Sequence, residues 1–525
     1  MLEDSGRDQL SAALRETLGH GGRSTDLTAK TTRRKFLGAA AAGAVWVALG
    51  SLLGCESNKL LRVTASHARG AQAWTFRTRP ELSPPVIEVT TQAHHTAPGY
   101  VFVAPKNGPQ EHSPAQDGCM ILDEDGQPVW FRPLQREEWD VMDFKVQTYQ
   151  GEPVLTWWEG FHIGYGQGEY VIADGSYREI RRVRAGNGYI GDHHEFLISP
   201  QDTALFTIYN PVRMDLSSLG GPKEGVVLDG IVQEVGIETG EVLFEWHSLE
   251  HVGLEESHYE PSKDQKIPFD YFHINSVEVD HDSNLLVSGR RTSTVYKIDR
   301  NTGEVIWRLG GKNSDFKMGP GTRRAYQHDA RRQPDGTITI FDNGILNVND
   351  QSYGRVLELD MEKMRATRVR EYAHPDKVLS ETQGNVQMLP NGNVFIGWGS
   401  EPVLSEFASD GELLLSANFP PEAESYRAFR FPWSGQPDDD PALAVESDPE
   451  DVATLYASWN GATEVGTWEV LAGPNPEELE VVASVPRKGF ETAITVDVSE
   501  AYVGVRAKNG LGRVLGTSKV VEPRD

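Results

Sequence analysis

The sequence predicts an all-β chain: a six-bladed β-propeller followed by a smaller β-sandwich. Three observations predict it. From about residue 99 to 420 the chain is almost entirely short β-branched and aromatic runs, broken by Gly, Asp, Asn and Pro turns. Within that region two hairpin patterns alternate, at steps of about fifty residues. After about Phe431 a polar Pro/Gly linker leads into some eighty residues that read as about seven further short strands. No strongly periodic helix interrupts any of this.

The hairpins justify the propeller one by one. An outer hairpin, apolar strand, acidic-Gly turn, apolar strand, runs through Met120–Trp130, Gly236–Phe244, Val295–Trp307, Val356–Val369 and Leu404–Leu415. An inner hairpin runs through Asp143–Trp158, His194–Asn210, His273–Arg290, His328–Gly344 and Gly384–Gly397. One inner and one outer hairpin make a four-stranded sheet, the unit of a propeller. Units start near 99, 143, 194, 273, 328 and 384, which predicts six blades. The long step from 194 to 273 must hold an insertion, and residues 248–270, with little hydrophobic pattern, are expected as a loop near the channel mouth.

The ends read differently. Residues 1–54 form a signal segment of twin-arginine and lipoprotein type: Arg33-Arg34-Lys35-Phe36-Leu37, then an apolar Ala/Gly-rich run from Leu37 to Leu53. Leu52-Leu53-Gly54-Cys55 resembles a lipobox, so Cys55 is the expected lipidation site and an uncleaved signal anchor is the alternative. Export across the cytoplasmic membrane and a lipid anchor outside it follow as expectations. Residues 55–90 are a tether leading to the first strands, 91–430 the propeller, 431–440 the linker and 441–525 the sandwich. Trp459, Trp468 and the run Tyr502 to Gly512 resemble a fibronectin type III domain.

The formal charge of −27 excludes a nucleic-acid binder, which needs a basic face. Two cysteines, Cys55 and Cys119, exclude a disulfide framework and a multi-thiolate metal site.

The chemistry points to three histidines. His194, His273 and His328 open the inner hairpin in three successive units. A fold that closes the units around an axis brings them together. Strand alternation points Asn275 the same way as His273, and Arg290 returns to that level at the end of the hairpin. Arg supplies a forked donor to sulfate or phosphate oxygens, and a neutral His can act as nucleophile or proton shuttle. Three imidazoles also suit a His₃ metal site, but Arg290 opposes a cation there. By register His193 and Arg291 point away, Asp329 alternates away yet is placed to orient a histidine, and His281 falls in a surface turn.

At these residues the chain resembles the aryl-sulfate sulfotransferases (arylsulfotransferases). The motifs are Asp192-His193-His194-Glu195-Phe196, His273-Ile274-Asn275-Ser276, Ser288-Gly289-Arg290, Thr302 to Gly310 and Gln327-His328-Asp329. The resemblance implies a six-bladed propeller and an enzyme that moves a sulfuryl group from a phenolic sulfate ester to a phenol. It implies a sulfohistidine intermediate and no nucleotide sulfate donor; no cofactor and no metal are expected. By position His328 resembles the nucleophile, His194 and His273 the flanking groups that hold oxygens or shuttle the proton, and Asn275 and Arg290 the sulfuryl clamp. Trp157, Trp158, Tyr209 and Trp398 are candidates to meet a phenol ring. Two alternatives stand beside this reading: a non-catalytic ligand-binding propeller displayed at the surface, and a metal-dependent hydrolase using the three histidines.

Overall fold

The computed structural model describes residues 72–522 apart from 108–113, 137, 345–348, 422, 448–451 and 498–499. The leader and Cys55 lie outside the described residues. Among those described, the chain is all-β, with only three short helical turns, 217–219, 248–251 and 254–256. No described helix is long and apolar enough to cross a membrane.

Six antiparallel sheets fill residues 88–431, and sheets two to six are each laid down from the inner strand outward. Sheet two runs Asp140–Tyr149, Glu152–His162, Gly166–Ala173, Glu179–Val183. Sheet three runs Phe196–Ile198, Thr203–Met214, Gly225–Gly236, Val242–His247, and sheet four Ile274–Val279, Leu285–Gly289, Thr294–Ile298, Val305–Gly310. Sheet five runs His328–Arg332, Ile338–Asp342, Tyr353–Asp360, Arg365–Tyr372, with Lys317–Met318 added in parallel outside. Sheet six runs Asn385–Met388, Val394–Gly397, Val403–Phe407, Leu413–Asn418, then Glu88–Gln92.

Sheet one departs from the expected start near residue 99. Tyr100–Asn107 is its second strand; the inner strand is Ala423–Phe431, from the far end of the ring. Glu88–Gln92 likewise pairs with Leu413–Asn418 of sheet six. Both ends of the ring are therefore stitched into sheets begun by the other end. Contacts run from each inner region to the next, sheet one through six and back to one, so the ring closes.

The turns follow local chemistry. In the hairpin of sheet four Asp299 accepts from the N–H groups of Asn301 and Thr302 at 2.8 and 3.0 Å, and Gly303 takes φ 78°, a value a side chain would resist. Between sheets, apolar faces interlock. Leu205, Val232, Phe272, Ile274, Val287 and Tyr296 are fully buried between sheets three and four. The long step from 194 to 273 is filled twice: by long strands in sheet three and by the loop after His247.

Residues 442–517 form a second unit of a three-stranded and a four-stranded sheet over one core that includes Leu455, Trp468, Val470, Ile494 and Val505. It is fastened to the outer strand of sheet one. Asn460 imitates a strand there: Phe131 N–H donates to its Oδ1 and its Nδ2 donates to Phe131 O, both at 2.9 Å. Gly461 N–H adds a bond to Val129 O at 2.9 Å.

Candidate active site

The three histidines sit where the chain enters sheets three, four and five. Two of those entrances are bulged. The register slips between Ile274 and Ser276 in sheet four and between His328 and Arg331 in sheet five. His273 and Asp329 take φ 53° and 54°. Bulges re-aim side chains at the ends of strands, and these two lie at His273 and His328. His194 and His328 are 3% and 2% exposed. The rings of His194 and His273 lie edge to face at 5.0 Å, with Tyr209 at 5.5 and 5.8 Å. His328 is tied to the same neighbourhood through Asn275, two residues after His273, whose Nδ2 donates to the Gln327 carbonyl just before His328.

Each imidazole is held through Nδ1. His194 meets Asp192 Oδ2 at 2.6 Å, and His273 meets Asp270 Oδ2. His328 instead meets a carboxamide, Asn343 Oδ1, at 2.7 Å. On its other side His328 Nε2 accepts the Gln383 N–H at 3.2 Å. Asp192, Asp270, Asn343 and Gln383 were not singled out from sequence. Asp192 lies inside a quoted motif, two residues before its histidine. Asn343 was legible only through pairing: His328 sits opposite Phe341, so residue 343 returns to its level. Asp270 comes from the insertion.

Burial and Arg290 push the basicity of His328 well below the ordinary histidine value. Burial lowers His273 to about 4, against the opposing pull of Asp270. Arg290 is buried over the Tyr326 ring, 4.9 Å from guanidinium carbon to centroid, and its Nη2 donates to Glu381 O at 2.9 Å. Its Nε–H has no partner, and neither do Asn275 Oδ1, Asp270 Oδ1 and Gln383 Oε1. Folded proteins leave few buried polar atoms unpaired, so these atoms are open to a polar partner.

Asn275 is also brought in, but its Nδ2 donates to Gln327 O at 2.7 Å, the peptide just before His328. It ties sheet four to the nucleophile candidate's backbone. Two register expectations are corrected. His193 does not turn away: it is buried with its ring 3.9 Å from that of His194. Arg291 lies over Tyr259 at 3.7 Å, beside Asp270, on the same side as Arg290. Asp329 orients no histidine; it binds Arg331 Nε at 2.8 Å and the Val386 N–H at 2.9 Å. His281 is exposed, as its turn implies. Of the four aromatic candidates Tyr209 meets His194 and His273 and Trp158 meets His193, while Trp157 and Trp398 are core residues.

Among the described residues, the donors close enough to share a metal are Asp192, His193 and His194, within 4.8 Å of one another. That is not the three-histidine set. Asp192 already accepts from Gly166 N at 2.5 Å and from His194.

Beneath the histidines the axis is closed by buried ions. Arg427 of sheet one binds Asp143 of sheet two at 2.9 Å and Glu195 at 3.2 Å. Lys145 binds Asp143 and Glu195 at 2.7 and 2.9 Å. Arg331 of sheet five binds Glu195, Glu278 of sheet four and Asp329. Burial opposes charge on Glu195, yet Arg331, Arg427 and Lys145 hold it well below the usual carboxylate range.

A closed ring of sheets with imidazoles and a guanidinium at one end of its axis defines the class of protein. The chain belongs to the arylsulfotransferase (ASST) family, whose model matches residues 145–420. A comparison with curated proteins finds no match. Among solved structures, a protein of unknown function from Bacteroides caccae is 15% identical over 63% of this chain and 98% of its own, with a TM-score of 0.39. A virginiamycin B lyase from Staphylococcus aureus is 8% identical over 71% and 97%, TM-score 0.35. An α-L-arabinanase from Penicillium chrysogenum is 11% identical over 61% and 88%, TM-score 0.32. Likenesses at this level carry nothing about activity.

Proposed function

We propose that this chain is a six-bladed propeller enzyme that moves a sulfuryl group from a phenolic sulfate ester to a phenol through a sulfohistidine at His328. The carrying observation is the set of three imidazoles, two buried and His273 partly exposed, each held through Nδ1, beside a buried guanidinium with an unused Nε–H. In the first half the lone pair of His328 attacks sulfur, and the S–O(aryl) bond breaks. The phenolate leaves with that electron pair and takes a proton from His194 or His273. In the second half the same histidine removes the acceptor phenol's proton, the phenol oxygen attacks sulfur, and the S–N bond breaks, returning the lone pair to His328. Arg290 offers a donor to the sulfuryl oxygens, where such donors usually contribute most to rate. Asn275 acts by holding the Gln327–His328 peptide.

The setting is part of the same proposal. The leader and lipobox resemblance support export and a lipid anchor at Cys55. The three-plus-four sheet arrangement supports a fibronectin type III-like unit as a spacer. The test uses the purified chain with 4-nitrophenyl sulfate, with and without a phenol, and with and without chelator. Nitrophenol release that requires the phenol, persists with chelator, and is lost in His328→Ala is expected, with a sulfated peptide at His328 by mass spectrometry. A fully active His328→Ala enzyme would overturn the nucleophile; loss of turnover on chelation would point to the hydrolase instead.

A further inference from the structure

We infer that Asn343 is a positioning residue that sets which nitrogen of His328 carries the sulfuryl group. Its neutrality also separates the nucleophile from the two other histidines. The inference rests on the proposed transfer and deepens it.

The hydrogen bonds leave one arrangement. Asn343 Nδ2 donates to Ser380 O at 3.0 Å and to Gln383 O at 3.1 Å. Carbonyl oxygens only accept, so both amide hydrogens are accounted for and the atom facing His328 Nδ1 is the amide oxygen. That oxygen also only accepts, so Nδ1 carries the hydrogen. Nε2 of the neutral ring is left with the lone pair, which accepts the Gln383 N–H at 3.2 Å, a bond that gives way when the pair attacks sulfur. The amide is fully buried, and Ser352 Oγ donates to the Asn343 carbonyl at 2.8 Å, so the whole residue is fixed.

The contrast with the other two histidines gives the arrangement meaning. The Nδ1 partners of His194 and His273 are carboxylates, Asp192 and Asp270, where His328 has an amide. A carboxamide gives the same tautomer with far less support for an imidazolium. With burial and Arg290 also holding its basicity down, His328 is thereby kept unprotonated and nucleophilic. One ring geometry thus serves two roles through a difference of O⁻ against NH₂ in the partner.

Two variants and one measurement on the unaltered protein test this. Asn343→Leu removes the acceptor; kcat should fall about 10–100-fold, the range for losing a histidine's orienting partner, with the KM for donor within about two-fold. Asn343→Asp restores the acceptor but adds charge; much of kcat should return at high pH, with the acid limb of the profile displaced upward by about a unit or more. Should both variants misfold, the wild-type chain decides: trapped sulfohistidine is compared with Nδ1- and Nε2-sulfated standards. The Nε2 isomer is expected. The Nδ1 isomer, or an Asn343→Leu enzyme with unchanged kcat and pH profile, overturns the inference while leaving transfer intact. The absence of any sulfohistidine during turnover overturns the transfer reading itself.

Discussion

At the scale of the residue, the site depends on burying basic groups together. Arg290 depresses both His273 and His328 while offering its own Nε–H to the pocket. Arg290→Met should therefore raise the basicity of both histidines and lower kcat/KM by about 100-fold or more, the scale for losing one oxyanion donor. Arg290→Lys should restore little, because a point charge cannot reproduce the fork. Steady-state kinetics and pH profiles of the two variants check this. His273 also links the site to stability. Its folded value of about 4 lies below the ordinary 6.5, so the unfolded chain binds more protons between them. Its contribution is complete above pH 6.5 and is lost as pH falls through about 4.

At the scale of the element, the insertion after sheet three is what completes the second dyad, since it delivers Asp270 to His273. Its start is anchored by His247, whose Nδ1 donates to Asp229 Oδ2 at 2.7 Å; that bond raises its basicity to about 9. Asp229 Oδ1 also accepts from Ser248 Oγ at 3.0 Å and Leu249 N at 3.1 Å. The sign here is opposite to that of His273. The folded value exceeds the unfolded one, so the stabilisation is complete below about pH 6.5 and is lost as pH rises through about 9. His247→Gln should flatten the alkaline decline of thermal stability across that window and leave the acid limb unchanged, as followed by thermal unfolding over a pH series.

At the scale of the whole molecule, closure rests on two devices that act at different radii. Strands exchanged between the chain's two ends close the ring at sheets one and six. At the axis, Arg427 on the exchanged strand joins Asp143 and Glu195 in the ion network. Arg427→Met leaves two buried carboxylates short of a partner, and breaking such a pair costs about 3–5 kcal/mol. Chemical denaturation should show a lower midpoint of that order. An unchanged midpoint would mean that the network does not close the ring.

The sequence by itself determined the all-β class, the alternating hairpins and the three histidines with Arg290. These are local or periodic signals: turn chemistry, strand alternation and one motif recurring at one register. Only the tertiary structure decided the partners. Asp270 reaches His273 from an aperiodic loop, Asn343 reaches His328 across a hairpin, and Ala423–Phe431 became the inner strand of sheet one from more than three hundred positions away. His193 and Arg291 lie outside the strands, before Phe196 and after Gly289, so alternation did not fix their direction. The reason is physical: a period-two pattern specifies a side chain's face only while the strand stays regular, and at the strand entrances where the histidines sit it does not.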